Sequence, residues 1–420
     1  MNIVYYSIKV TPSHDPNDFE CGKRNKLPFL NIFDDEGVLN ENAGKFKGLR
    51  RYDARIEVQK ELEKLGLFIC KKPNKMILGV CSKTKDIIEP MVRPQWWVNC
   101  KDVAARAIAD VKEGRLKILP KTYEKNWFEF LENIREWCVS RQIWWGHRCP
   151  VYLVRVEGKL ENPNGSNDDH WIAGKTYEEA LDKASFLWSV PKDKITLTQD
   201  EDVLDTWFSS GLLTMSCFGW PNVNDERFKA FYPTDVLETG HDILFFWVAR
   251  MVFMSYFFTD KLPFHTVFLH PIVRDKEGRK MSKSLGNVID PLHVIDGISL
   301  ESMIELLGSG NLPENEVKKV TLEKTKEFPE GITECGADAL RFGLLAYLSQ
   351  GKNINLDINR VIGYKAFCNK IWNATRFSLT HLCEDFKPVQ DLKTLKFQFI
   401  DLWILNKLSR ACRSVDRVII

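Results

Sequence analysis

Four hundred and twenty residues exceed what one ordinary core holds and predict roughly two to three domains. At 44% hydrophobic and 28% charged residues the composition is that of a soluble globular chain rather than a disordered one. The 59 Lys plus Arg against 57 Asp plus Glu leave a net charge of +2, so no global imbalance announces a nucleic-acid or membrane partner.

The longest apolar run, residues 243–258, carries Arg250 in its middle and is too short for a bilayer. Residues 1–6 show no basic start followed by an apolar stretch, so no signal peptide is expected. The eleven cysteines are odd in number, scattered, and free of any Cys-x-x-Cys. They predict reduced, buried thiols in a cytoplasmic protein, with neither a disulfide framework nor a structural metal site. The eight histidines never fall at metal-ligand spacing; His265 and His270 sit on opposite faces of an expected strand.

In chain order, an extended stretch over residues 4–10 runs into the turn-rich loop of residues 11–18. Asp53 then opens an expected helix with Ile56, Leu62 and Leu65 on its apolar face and Gly66 at its end. Short strand-like pieces fill residues 71–98, broken by Pro73, Pro90 and Pro94. A helix is expected from an Asp102 cap to Gly114. Trp127, Phe130, Leu131, Ile134 and Cys138 form a stripe that predicts one core-facing helix. Residues 162–169 are a surface loop.

Residues 234–239 then predict a short buried strand turning at Gly240 into an apolar helix near Asp242, and a second strand spans residues 265–273. Strand, helix and strand joined by short turns argue for an α/β fold with parallel pairing in a doubly wound sheet. Beyond Asn359 the pattern is helical, and residues 360–420 hold eleven Lys/Arg against five Asp/Glu, an excess of 11 − 5 = 6 that the global balance conceals.

Ligands of open parallel sheets sit beyond the carboxyl ends of the strands. One loop there contains Gly240, His241 and Asp242: glycine lets a ligand approach the backbone, and the helix start offers N–H donors to an anion. Asp242 either holds a substrate ammonium or simply caps the helix. The other loop, residues 275–287, gathers Lys280, Met281, Ser282, Lys283 and Ser284 between Gly278 and Gly286. Such cations and hydroxyls can close over a polyphosphate, although a run of charge is more often a solvated loop.

Lys280-Met281-Ser282-Lys283-Ser284 resembles the signature loop of the class I aminoacyl-tRNA synthetases. The valine-specific, eukaryotic-like branch is indicated by three further stretches: Trp137-Cys138-Val139-Ser140-Arg141-Gln142, Asp205-Thr206-Trp207-Phe208-Ser209-Ser210, and Glu238-Thr239-Gly240-His241-Asp242-Ile243. Asn369-Lys370-Ile371-Trp372-Asn373-Ala374 extends the likeness toward the C-terminus. The resemblance implies ATP with Mg2+ and valine as substrates and tRNA-Val as partner. Lys280 and Lys283 would serve as catalytic cations on the phosphates, with Gly240, His241, Met281, Ser282 and Ser284 also around ATP. Asp242 would take the valine ammonium, while Ile243 and Trp207 shape the side-chain pocket; read from the residue alone, Trp207 is equally a core aromatic. The local basic excess would face tRNA phosphates.

The resemblance also places an editing loop at the start of the chain, with Lys9 and Asp18 as recognition residues and Asp15 beside them. By itself that segment reads as an Asx-rich turn. Threonine against valine is the known instance of an isostere that a hydrophobic pocket rejects only about a hundredfold, hence the editing. The implied layout is the end of a β-rich editing domain over residues 1–80, the second half of the catalytic domain over 81–355, and the start of an all-α anticodon-binding domain over 356–420. The family's His-Ile-Gly-His half is absent, and Val4-Tyr5-Tyr6 stands where Gly-Thr-Gly is expected. The chain is therefore expected to expose sheet edges and to be inactive alone in valine-dependent pyrophosphate exchange, as a truncated gene, a fragment, or one part of a split enzyme whose partner supplies the missing half. A non-catalytic tRNA- or synthetase-binding remnant is the competing expectation.

Overall fold

The computed structural model describes residues 9–81, 84–163, 165–282, 285–310, 312–348, 353–382, 386–389, 391 and 394–419. The chain divides into two units. The first takes residues 1–115, 125–234 and 246–263; the second takes 116–124, 235–245 and 264–420.

In the first unit, Val151–Val156 lies between Trp171–Ala173 and Ile195–Gln199, antiparallel to both. Its alternation buries Tyr152, Val154 and Val156 on one face. Ala180 and Ala184 of the helix Tyr177–Trp188 close over that face, small enough to let the helix lie near the sheet. Thr176 caps this helix through the Glu179 N–H, and Ser189 ends it in the left-handed region. Two shorter antiparallel pairs, Trp97–Val98 with Trp137–Cys138 and Ser140–Arg141 with Val203–Leu204, hold the segments around Asp205. The helix Lys101–Lys112 buries Ala104, Ala107 and Val111 and packs on Ala249–Thr259.

In the second unit, Phe264–His270 is the middle strand between Lys117–Leu119 and Thr234–Gly240, parallel to the first of these. Val273–Arg274 and Ile354–Asn355 form another short parallel pair. Among the helices are Leu300–Gly308, Glu314–Glu327, Ala337–Leu348, Ile358–Leu379 and Phe399–Ile419. Val294, Met303, Phe328, Ile332, Leu340, Tyr347, Ile354 and Val361 form the core under the signature loop.

Several expectations hold. Arg51–Lys64 is the helix expected from Asp53, and Gly66 follows it at φ +66°. The C-terminal region is helical as read, and parallel strand pairs are present.

Others are corrected. Asp102 lies in the first turn of its helix, where its charge favours the N-terminal dipole, but Cys100 occupies the cap position. The aromatic stripe is not one helix. The helix Glu124–Glu132 buries Trp127 and Leu131 and leaves Phe130 50% exposed, while Cys138 joins a strand because Trp97–Val98 pairs with it. Among the described residues of 71–98, the expected pieces are a bridge between Val80 and Ile87 and the strand Trp97–Val98. Thr234–Gly240 is an edge strand with Val236 exposed, not a buried one. After Gly240 the backbone passes through a 3-10 turn, His241–Ile243, and a π segment, Leu244–Val248, before the α-helix begins at Ala249. This helical run, His241–Thr259, meets a membrane span in length and composition, contrary to the sequence expectation. More than half of it is buried in the protein, including Arg250, as in the core helix of a globular fold.

The thiols are also more varied than expected. Cys100, Cys149 and Cys335 are buried, whereas Cys70, Cys217 and Cys412 are exposed. Burial, reinforced by the Asp200 and Asp202 charges, pushes the Cys149 thiol up to about 11. At pH 8 an aromatic disulfide reagent is therefore expected to modify the three exposed cysteines at once. Cys100, Cys149 and Cys335 should react only as the protein unfolds. Site-resolved labelling by mass spectrometry checks this, and rapid modification of Cys149 in the native protein would contradict it.

Candidate active site

Gly240 ends its strand buried and without room for a side chain: a Cβ there would lie 2.6 Å from Ile272 Cδ1 and 3.0 Å from Asp242 Oδ1. Two residues on, Asp242 does not cap the helix. Its Oδ2 accepts a hydrogen bond from Lys280 Nζ at 2.7 Å. Partial burial pushes this carboxyl up, but the lysine outweighs burial and holds it below the ordinary aspartate value. Its charge is thus secure at neutral pH and is lost only as pH falls below the usual aspartate range. In Lys280→Ala the upward push remains without its counterweight. The Asp242 carboxyl is expected to titrate above its wild-type position, read by carbon NMR of labelled aspartate; an unmoved titration would mean the lysine exerts no hold.

His241 Nε2 meets Asn353 Oδ1 at 2.7 Å, and its ring stacks on Tyr123 at 5.3 Å. Ile243 is half-buried in the same turn. Neither Tyr123 nor Asn353 belongs to a motif, and no sequence signal marked them.

The signature loop leaves the Val273–Arg274 strand through a tight turn in which Gly278 adopts φ +81°. The turn closes when the Asp275 N–H donates to the Arg279 carbonyl at 3.0 Å, and Arg274 bridges to Lys280. Arg279 also pairs with Glu323 of the helix Glu314–Glu327 at 3.2 Å. Met281 packs against the core of this unit, Ser282 follows half-buried, and Lys280 projects outward with its side chain 65% exposed. Lys283 and Ser284 lie outside the described residues.

Trp207 belongs to the first unit. It sits in the short helix Thr206–Ser210, half-buried, with its ring stacked on Phe246 at 6.0 Å, and so is not a fully enclosed core aromatic. The buried Asp205 before it accepts from Trp137 Nε1 at 3.0 Å and Arg141 Nη2 at 3.1 Å, and its Oδ1 faces the Trp207 N–H. The buried Arg250 guanidinium lies 4.3 Å from the Trp137 ring centre. Sequence reasoning had given Asp205 and Arg250 no role.

At the start of the described chain, Lys9 is exposed. Asp15 caps the helix Pro16–Asn25 through the Asn17 and Asp18 N–H groups. Asp18 Oδ2 accepts from the Thr11 N–H at 2.7 Å and the Thr11 hydroxyl at 3.0 Å. Asp15 thereby forms an Asx-type turn at the helix start, and Asp18 ties the helix back to Thr11. Val4, Tyr5 and Tyr6 lie outside the described residues. Among the described residues no group of three His, Cys, Asp or Glu is arranged to hold a metal ion.

The family model for class I tRNA synthetases (I, L, M and V) matches residues 60–357, which contain both the Gly240–Asp242 turn and the signature loop. The chain belongs to the class I tRNA synthetases. It is 50% identical over 409 residues to the valine--tRNA ligase of Mus musculus, covering 97% of this chain and 32% of that protein. To the Schizosaccharomyces pombe valine--tRNA ligase it is 48% identical over 413 residues, 98% of this chain and 42% of that one. To the mitochondrial valine--tRNA ligase 1 of Arabidopsis thaliana it is 51% identical over 411 residues, 96% of this chain and 37% of that one. The chain thus spans 32% to 42% of the length of these class I relatives.

Proposed function

We infer that this chain carries the phosphate- and valine-binding side of a valine–tRNA ligase, which activates valine with ATP and transfers it to tRNA-Val. The observation that carries the reading is the meeting of Lys280 with Asp242 at 2.7 Å. A loop cation suited to phosphates and a strand-end carboxylate suited to an ammonium lie within one bond of each other. Both ends of an aminoacyl-adenylate could be held there.

In this reading the valine carboxylate attacks the α-phosphate of ATP and pyrophosphate departs. No protein nucleophile is needed, so rate comes from orientation and from neutralising charge on the leaving group. Lys280 and Lys283 supply that neutralisation, and Mg2+ arrives with ATP. Gly240 leaves room for substrate against the backbone, while His241, Met281, Ser282 and Ser284 belong to the nucleotide side. Asp242 takes the valine ammonium and Ile243 serves its side chain, the role that the resemblance also gives Trp207. The helices Ile358–Leu379 and Phe399–Ile419, with the positive excess of their region, suit tRNA phosphates. Lys9, Asp15 and Asp18 remain candidates for editing mischarged threonine, Asp18 through the oxygen not committed to Thr11.

Equilibrium dialysis of MgATP against the 420-residue chain tests the reading. Binding is expected, weakened about tenfold or more in Lys280→Ala, since a charge-assisted contact to phosphate is lost. No binding, or binding indifferent to Lys280, would sink it.

A further inference from the structure

Asp275 and Asn287 flank the signature motif, and both are buried, at 5% and 6% exposure. Buried polar groups in a surface loop cost free energy unless each donor meets an acceptor. Here they do. Asp275 Oδ1 accepts the Arg279 N–H at 2.7 Å, and its Oδ2 accepts Arg279 Nε at 2.7 Å and Asn287 Nδ2 at 2.9 Å. Asn287 Oδ1 accepts the Ser282 N–H at 2.9 Å, while its Nδ2 also reaches the Lys280 carbonyl at 3.3 Å. The amide cannot be turned over, because its NH2 would then face the Ser282 N–H and its oxygen the Asp275 carboxylate.

One amide thus holds the backbone on both sides of Met281, whose side chain is anchored in the core. One carboxylate holds that amide and the preceding turn. Burial pushes the Asp275 carboxyl up, yet the donors from Asn287 and Arg279 outweigh it and keep it below its ordinary value. Arg279 carries the bracket to Glu323 on the neighbouring helix. Lys280 is therefore an exposed head, reaching Asp242, on a backbone fixed from three sides.

We propose that Asp275 and Asn287 are positioning residues for nucleotide binding: they touch no substrate, but set the Lys280–Ser282 backbone so that the lysine meets the phosphates without first ordering the loop. This rests on the phosphate-binding reading of the loop. Fixing the loop beforehand removes an entropy cost from binding.

The test is MgATP affinity of the 420-residue chain, with amide exchange over residues 279–282 and thermal unfolding alongside. Asn287→Ala and Asn287→Asp are each expected to speed exchange in that segment and to weaken MgATP about tenfold, with the rest of the chain still protected. The second does so because it sets one carboxylate against another. In the double variant Asp275→Asn with Asn287→Asp, donor and acceptor change places. The new amide can donate to the new carboxylate, which still accepts the Ser282 N–H, but Arg279 Nε–H loses its acceptor and the Lys280 carbonyl its donor, so affinity is expected to recover only in part, above that of the worse single variant. Thermal unfolding and exchange separate this from a merely stabilising role, in which affinity would fall only as far as the whole chain loses stability and protection. The proposal is overturned if the single variants bind MgATP as wild type does, or if the double variant is as weak as the worse single one. Lys280→Ala separates the two levels. If it weakens MgATP while Asn287→Ala does not, only the positioning role fails; if Lys280→Ala is neutral, the phosphate reading fails and the positioning role with it.

Discussion

Replacing Asp205 with alanine is expected to lower the unfolding free energy by about 1–3 kcal/mol, the usual consequence of leaving buried donors without their acceptor. Asp205 is 5% exposed and serves Trp137, Arg141 and the start of the Trp207 helix together. Arg250 nearby is 6% exposed, and burial presses its guanidinium toward the neutral form; the Asp205 charge is among the influences that oppose this. With alanine, Arg250 keeps its charge beside Cys100 Sγ, a thiol that burial itself pushes up and so leaves uncharged, and over the Trp137 ring. Asp205→Asn keeps an acceptor for the indole and for the helix start but removes the charge. It should recover part of the loss. Urea unfolding followed by tryptophan fluorescence measures both variants, and a loss below about 1 kcal/mol for alanine would show that the cluster is not held by this carboxylate.

On the proposed reading, Asp242→Asn is expected to weaken valine binding by about tenfold or more, because a charge-assisted carboxylate–ammonium contact becomes a neutral one. A second effect is smaller. Lys280 occupies the Asp242 carboxylate in the free protein, so a valine ammonium arriving there must release the lysine, and phosphates drawing on the lysine must release the aspartate. Each ligand removes an obstacle to the other. The size of the coupling is limited by the pair itself. Side-chain exposures of 65% and 31% mark a partly solvated ion pair worth at most about 1 kcal/mol, hence at most about fivefold. Valine should strengthen MgATP binding by that factor, MgATP should strengthen valine binding equally, and both effects should vanish in Lys280→Ala. Calorimetric titration of each ligand with and without the other decides it. A coupling that survives Lys280→Ala must arise elsewhere.

The two loops proposed to hold substrate stand out in the sequence because a Lys-Met-Ser-Lys-Ser run and a Gly-His-Asp turn after a strand are unusual patterns, and both lie within the stretch that the family model matches. Helices with local punctuation were legible too, as at Gly66 and Gly114, both of which take positive φ. What escaped was whatever depends on distant pairing. Cys138 obeys helical spacing yet joins a strand because Trp97–Val98 lies opposite. Lys117–Leu119, three residues in a sheet, has too little periodicity to register, although Ile118 is almost wholly buried. The supports of the site escaped for the same reason. Asp275 and Asn287 stand twelve residues apart at the two ends of the loop, and nothing local says that they meet.

The interleaving of the two units has a practical consequence. The polypeptide passes between them five times, at 115/116, 124/125, 234/235, 245/246 and 263/264. Neither unit is one uninterrupted stretch of gene, so no single cut isolates either with all its strands. The turn bearing Asp242 is itself an eleven-residue insert, 235–245, whose two ends both continue into the other unit. Recombination between homologues would succeed only where crossover points respect these seams, and a graft of the signature loop alone would leave behind the strand that carries its carboxylate partner.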